Sequence, residues 1–171
     1  MNRQVINNVI RFISLILVQG LLLSNVVLVG GRAQVYLYVL FIVMLPLRIA
    51  PGLAMLLSFF LGLGVDMFYD SPGLHASASV LAAFVRPYFI QILTPRDDYD
   101  INDRPTISRM GLFWFLRLAA GVIFTHSLWI FLLESFSLAG LGSSLVKAIS
   151  TSLMTLLVSV VTVYLFTRRK I

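Results

Sequence analysis

Cysteine is absent from the 171 residues, which excludes disulfides, thiolate nucleophiles and cysteine-ligated metals. Charge is scarce as well. Asp, Glu, Lys and Arg make up 12% of the chain, about half the share of a soluble domain. Acid is the rarer sign, with 7 Asp and Glu against 13 Lys and Arg. The short patterns that carry common chemistry are missing too: no H-E-x-x-H metal motif, no G-x-S-x-G nucleophile turn and no glycine-rich phosphate loop.

What fills the chain instead is apolar. Hydrophobic residues make up 59% of it, and the mean hydropathy is +0.96. Six stretches approach the roughly 20 apolar residues that a spanning helix needs. They predict helices over 12–29, 33–49, 53–69, 73–93, 110–133 and 143–166. Pro46 and Arg48 intrude on the end of the second. Little sequence remains outside these spans, so the expected architecture is an all-α, six-transmembrane-helix bundle forming one integral membrane domain over 1–171. The first stretch has basic residues before its apolar core but no small-x-small cleavage site, so it reads as an uncleaved helix rather than a signal peptide.

Placement of the cations sets the expected orientation. Arg3, Arg11, Arg48, Arg96, Arg104, Arg109, Arg168, Arg169 and Lys170 fall on one side of the six spans, and only Arg32 and Lys147 on the other. Cytoplasmic loops carry the excess of Lys and Arg, so both termini are expected in the cytoplasm. The net charge of +6 is therefore a topology signal and not a nucleic-acid signal. The terminal Arg168-Arg169-Lys170 reads as a stop-transfer and lipid-headgroup anchor.

Most connections are tight. Gly30-Gly31 and Pro51-Gly52 are turn pairs, and Asp70-Ser71-Pro72-Gly73 joins the third span to the fourth. There Ser71 is expected to cap the fourth helix, with Pro72 at its first position. The exception is the polar segment 94–109, bracketed by Pro95 and Pro105. It reads either as a solvated linker or as a docking segment for a cytoplasmic partner. Trp114 and Trp129 lie 15 residues apart, about 22 Å along a helix, which suits the two interfacial belts. Tyr36, Tyr38 and Tyr69 are expected as anchors toward the outer face, Tyr88 and Tyr164 toward the inner. Gly142-Ser143-Ser144 is explained by capping of the last helix.

The most informative stretch runs from Gly62 to Ala76. Ser58, Gly62, Asp66 and Asp70 recur at intervals of four and are expected on one helix stripe. Small residues there admit a close backbone, and Ala78, Ser79, Ala82 and Ala83 continue the pattern on the next helix. The stripe reads as internal packing of the third and fourth helices, or as a role for Asp66 in anchoring a partner helix or ordering the outer loop. Arg86 and Arg117 also lie inside the spans, where a cation must snorkel or pair. Both fall in the cytoplasmic half, opposite Asp66, and Arg117 is the better candidate for a partner contact.

Gly62-x-x-x-Asp66, followed by the turn Ser71-Pro72-Gly73 and the helix opening Leu74-His75-Ala76, resembles the bacterial rod shape-determining MreD family. The early Asn7-Asn8, Leu45-Pro46, Arg86-Pro87 and the basic tail are similar to the form found in Bacteroidota. The resemblance covers nearly the whole chain, although only 62–76 is specific. It implies a non-enzymatic scaffold of the cell-elongation machinery in the bacterial inner membrane, with no cofactor. Its implied direct partner is MreC, a bitopic protein. MreB filaments, the glycosyltransferase RodA and a penicillin-binding transpeptidase belong to the same complex. The implied fold is like the S-components of energy-coupling-factor transporters.

That kinship supplies a rival reading, a vitamin- or metal-binding S-component. Asp66, Asp70, His75, His126 and Glu134 all fall toward the outer face, and imidazole and carboxylate are ordinary metal ligands. The five are scattered over three segments, however, with no H-x-x-x-H spacing. His126 is expected simply to hydrogen-bond a neighbouring helix. The first helix also lacks the Ala-x-x-x-Ala that S-components use to meet their partner. No catalytic, cofactor or metal residue is assigned. An aspartyl intramembrane protease would need a second aspartate to partner Asp66, and none lies in a comparable motif.

Overall fold

The computed structural model describes residues 3–26, 28, 30, 33–94, 105–135 and 141–168. Arg32, Arg96, Arg104, Arg169, Lys170 and residues 95–104 of the expected polar loop lie outside them. The described residues are helical, with no strand beyond one isolated bridge between Leu28 and Ala33. The helix α1, Arg3–Leu17, continues into a π-helical turn, Val18–Leu23. Then come α2, Val39–Val43; α3, Pro51–Tyr69; α4, Leu74–Leu93; the short α5, Ile107–Met110; α6, Leu112–Ser135; and α7, Leu141–Arg168.

Among the described residues, five helices are long and apolar enough to cross a membrane: Ile6–Leu23, Pro51–Tyr69, Leu74–Leu93, Leu112–Ser135 and Leu141–Phe166. The second expected span, 33–49, is corrected. Only Val39–Val43 is helical there, and residues 34–36 carry no regular structure. Residues 35–43 are buried throughout. The segment is apolar all round, a pattern common to core elements and membrane spans, and its burial makes it the former. Val35 and Tyr36, in the stretch without regular structure, favour extended backbone over helix, and Pro46 interrupts any continuation. Irregular backbone is tolerated at membrane depth only when protein surrounds it. The surrounding helices meet that condition.

Local chemistry sets the other boundaries. Pro51 opens α3, its missing N–H costing nothing at the first helical position. The helix ends where Asp70 turns left-handed, at φ 49°. Gly73, at φ 89°, starts α4, a backbone that glycine adopts without strain. Thr94 ends α4 in extended backbone, as the residue before a proline prefers.

Helices α3 and α4 form an antiparallel hairpin; α4 packs on α6, and α6 on α7. The segment 33–46 threads between α4, α6 and α7, while α1 leans on α3 from outside. Leu61, Val65, Ala78, Ala82, Leu118, Val122 and Ile130 close the core around that segment.

Candidate functional site: a capped turn and a buried tyrosine–histidine cluster

At Gly62 the backbones of α3 and α4 touch. A Cβ there would lie 2.5 Å from both the Ala76 Cα and the His75 carbonyl oxygen. Only a hydrogen fits. Ser58 and Asp66 share this buried face, so the stripe packs internally against α4. Asp70 does not belong to it. The left-handed turn that ends α3 carries Asp70 off the helix and leaves it exposed.

One turn beyond Gly62, Asp66 is 4% exposed and serves as the cap of α4. Its Oδ1 accepts from the His75 amide at 2.9 Å, His75 Nδ1 at 2.9 Å and Ser71 Oγ at 3.3 Å. Its Oδ2 accepts from the amides of Gly73 at 3.0 Å and Ala76 at 3.1 Å. A helix start leaves amides without intrahelical acceptors, and a carboxylate there gains from the dipole as well. The cap expected from Ser71 is therefore corrected. No side chain on the N-cap residue, Gly73, performs it, and the Ser71 hydroxyl turns to Asp66 and His75 instead. Asp66 reaches across from the preceding helix because Gly62 lets the two come close.

Asp66 also fixes the His75 ring, whose Nε2 is buried among aromatic rings. Tyr69 lies 4.6 Å from it between centroids, Tyr36 5.6 Å and Tyr38 6.1 Å. His126 joins from α6, at 5.5 Å from Tyr36 and 5.2 Å from Tyr38, and its Nε2 lies 2.6 Å from the Tyr38 hydroxyl. Residues that are far apart in sequence thus form one cluster. Tyr36 and Tyr38 are wholly buried, which corrects their expected role as interfacial anchors. Tyr88 and Tyr164 are exposed on the outside of the bundle. Trp129 is partly exposed and donates to Ser77 Oγ at 3.2 Å.

The threaded segment is held by side chains that sequence reasoning did not single out. Thr151 and Thr155 of α7 accept from the amides of Gln34 and Tyr36 at 3.1 and 3.0 Å. Gln19, in the π-helical turn, donates to the Val35 carbonyl at 2.9 Å and the Tyr69 hydroxyl at 2.7 Å. Buried backbone groups must be paired, and here side chains replace the missing helix. The available signal was Ser144, Thr151, Thr155 and Ser159 recurring on one side of the last helix. Ser144 likewise ties α7 to the Phe131 carbonyl, at 3.1 Å, and does not cap α7.

The two intramembrane cations part company. Arg86 is 2% exposed and donates to the carbonyls of Leu45 and Pro46. Its expected snorkelling is corrected: the threaded segment supplies acceptors inside the bundle. Arg117 is exposed and has no hydrogen bond or ion pair among the described residues.

Known protein families, curated proteins and solved structures yield no match to this chain. The site therefore has to be judged on its geometry. Among the described residues no group of three or more His, Cys, Asp and Glu is placed to hold a metal. The Asp66 oxygens are occupied by helix amides, and ring centroids 4.6–6.3 Å apart leave the cluster packed. It locks α3, α4, α6 and the threaded segment together at one end of the bundle.

Proposed function

We propose that the protein is a non-enzymatic scaffold of the MreD type in the bacterial cell-elongation complex. The observation that carries the reading is the behaviour of the 62–76 motif. Gly62, Asp66, Gly73 and His75, the residues on which the resemblance rests, act as one unit that clamps two helices and shapes the turn between them. A motif that acts in this way suits a protein that presents a rigid surface. In this reading MreC binds directly, while RodA, its transpeptidase and MreB filaments belong to the same assembly. The chain lies in the cytoplasmic membrane with both ends inside. An affinity-tagged chain expressed in its native host should recover a single-span protein with an extracytoplasmic coiled coil, and depletion should round the cells. Recovery of neither that protein nor a shape defect would sink the proposal.

A second reading, the substrate-binding subunit of a vitamin or metal transporter, is favoured by the buried Tyr–His cluster at one end of the bundle. A ligand bound there would raise the thermal midpoint by mass action. Heat stabilisation of the purified protein by a vitamin or divalent metal, lost in His126→Phe, would replace the scaffold reading.

A further inference from the structure

We propose that Arg117 is a phosphate-binding residue for an anionic phospholipid at the α6 start. Side chains on an α-helix lean toward its N-terminus. The helix α4 begins at the Asp66-capped turn and α6 ends near it, since Trp129 meets Ser77 and Gly121 lies against Phe89. Arg86 therefore leans away from the headgroup layer at the Leu93 end of α4 and toward the middle of the bundle. There it takes the Leu45 and Pro46 carbonyls. Arg117 leans the opposite way. It lies five residues past Leu112, where the apolar span Leu112–Ser135 begins, or about 7.5 Å at helical rise. A side chain as long as that of arginine, leaning toward the N-terminus, is directed at that end of the span.

The surroundings fit a lipid. Arg117 shares an outward stripe with Phe113, which is 76% exposed, and Phe124, offering apolar contact to acyl chains on either side of the charge. No described residue competes for the guanidinium, and its fork matches the oxygens of a phosphate. This inference is independent of the scaffold reading.

The test uses the full chain in non-ionic detergent, with lipid binding measured by native mass spectrometry. Phosphatidylglycerol, phosphatidylcholine and inorganic phosphate are the probes. The first phosphatidylglycerol should bind about fivefold more weakly to Arg117→Gln than to the parent, the effect of about 1 kcal/mol per basic residue near an anionic surface. Arg117→Lys should keep part of the preference, and phosphatidylcholine should show no such difference. An unchanged preference in Arg117→Gln overturns the proposal. So does equal competition by inorganic phosphate, which would make the site a free-anion site. Unchanged lipid binding with loss of a co-purifying membrane protein would assign Arg117 to a protein partner instead. Because Arg117 is exposed, the thermal midpoint of Arg117→Gln without lipid should match the parent. If it falls, Arg117→Lys decides, and loss of the whole preference in that variant overturns the proposal.

Discussion

Replacing Gly62 by alanine probes the feature on which the candidate site depends. The added Cβ would sit 2.5 Å from the His75 oxygen and the Ala76 Cα, and 2.7 Å from the Ala76 nitrogen. Carbon atoms pack at about 3.5–4.0 Å, so α3 and α4 must separate by roughly 1 Å. All three obstacles are backbone, and no rotamer change relieves them. Overpacking of this kind costs about 1–3 kcal/mol. The same movement stretches the amide bonds to Asp66, now 2.9–3.1 Å, beyond useful range. Losing one or two bonds to a charged acceptor adds about 1.5–3 kcal/mol each. Helix propensity returns about 1 kcal/mol. The net expectation is a destabilisation of about 1.5–8 kcal/mol, or about 3–30 °C in thermal midpoint for a chain of this size. Gly52→Ala is the control, because nothing lies within 4 Å of that Cβ, and it should be neutral or slightly stabilising. The assay is thermal unfolding of the purified protein in detergent. A Gly62→Ala midpoint equal to that of Gly52→Ala would refute the close approach and the transmission to Asp66.

Thr155→Val should strand the Tyr36 amide at a cost of about 1–3 kcal/mol. Thr155→Ser should recover most of it, and equal midpoints for the two variants would mean that the segment is not held as described. Arg86→Met should lower the midpoint by removing the donor to Leu45 and Pro46, with Arg86→Lys intermediate; unfolding curves compare all three proteins, and an unaffected Met variant contradicts the arrangement. Asp66→Asn keeps the shape but replaces one acceptor oxygen by an amide facing helix N–H groups, so folded yield should fall even where Gly62 is intact. Wild-type yield and midpoint would argue against the cap. Reporter fusions after residue 171 and within 97–104 should both read cytoplasmic, and an extracytoplasmic signal at either would reverse the proposed orientation.

The amino-acid sequence by itself determined that the chain is a helical membrane protein, because runs of apolar residues near 20 long leave few alternatives. It also determined where α3 and α4 stop, through Asp70, Gly73 and Pro95, and that Gly62 and Asp66 share a face. Local chemistry suffices for such features, since caps, turns and i,i+4 stripes involve neighbours in sequence. Tertiary structure decided the rest. Residues 33–46 have the composition of a spanning helix, yet they thread the bundle because Thr151, Thr155, Gln19 and Arg86 satisfy their backbone. Those partners lie up to 119 residues away in the chain, beyond any local pattern. The Tyr36–Tyr38–His75–His126 cluster has the same origin. Hydropathy measures how apolar a segment is. It does not say whether lipid or protein surrounds it, and that difference decides whether the backbone must be helical.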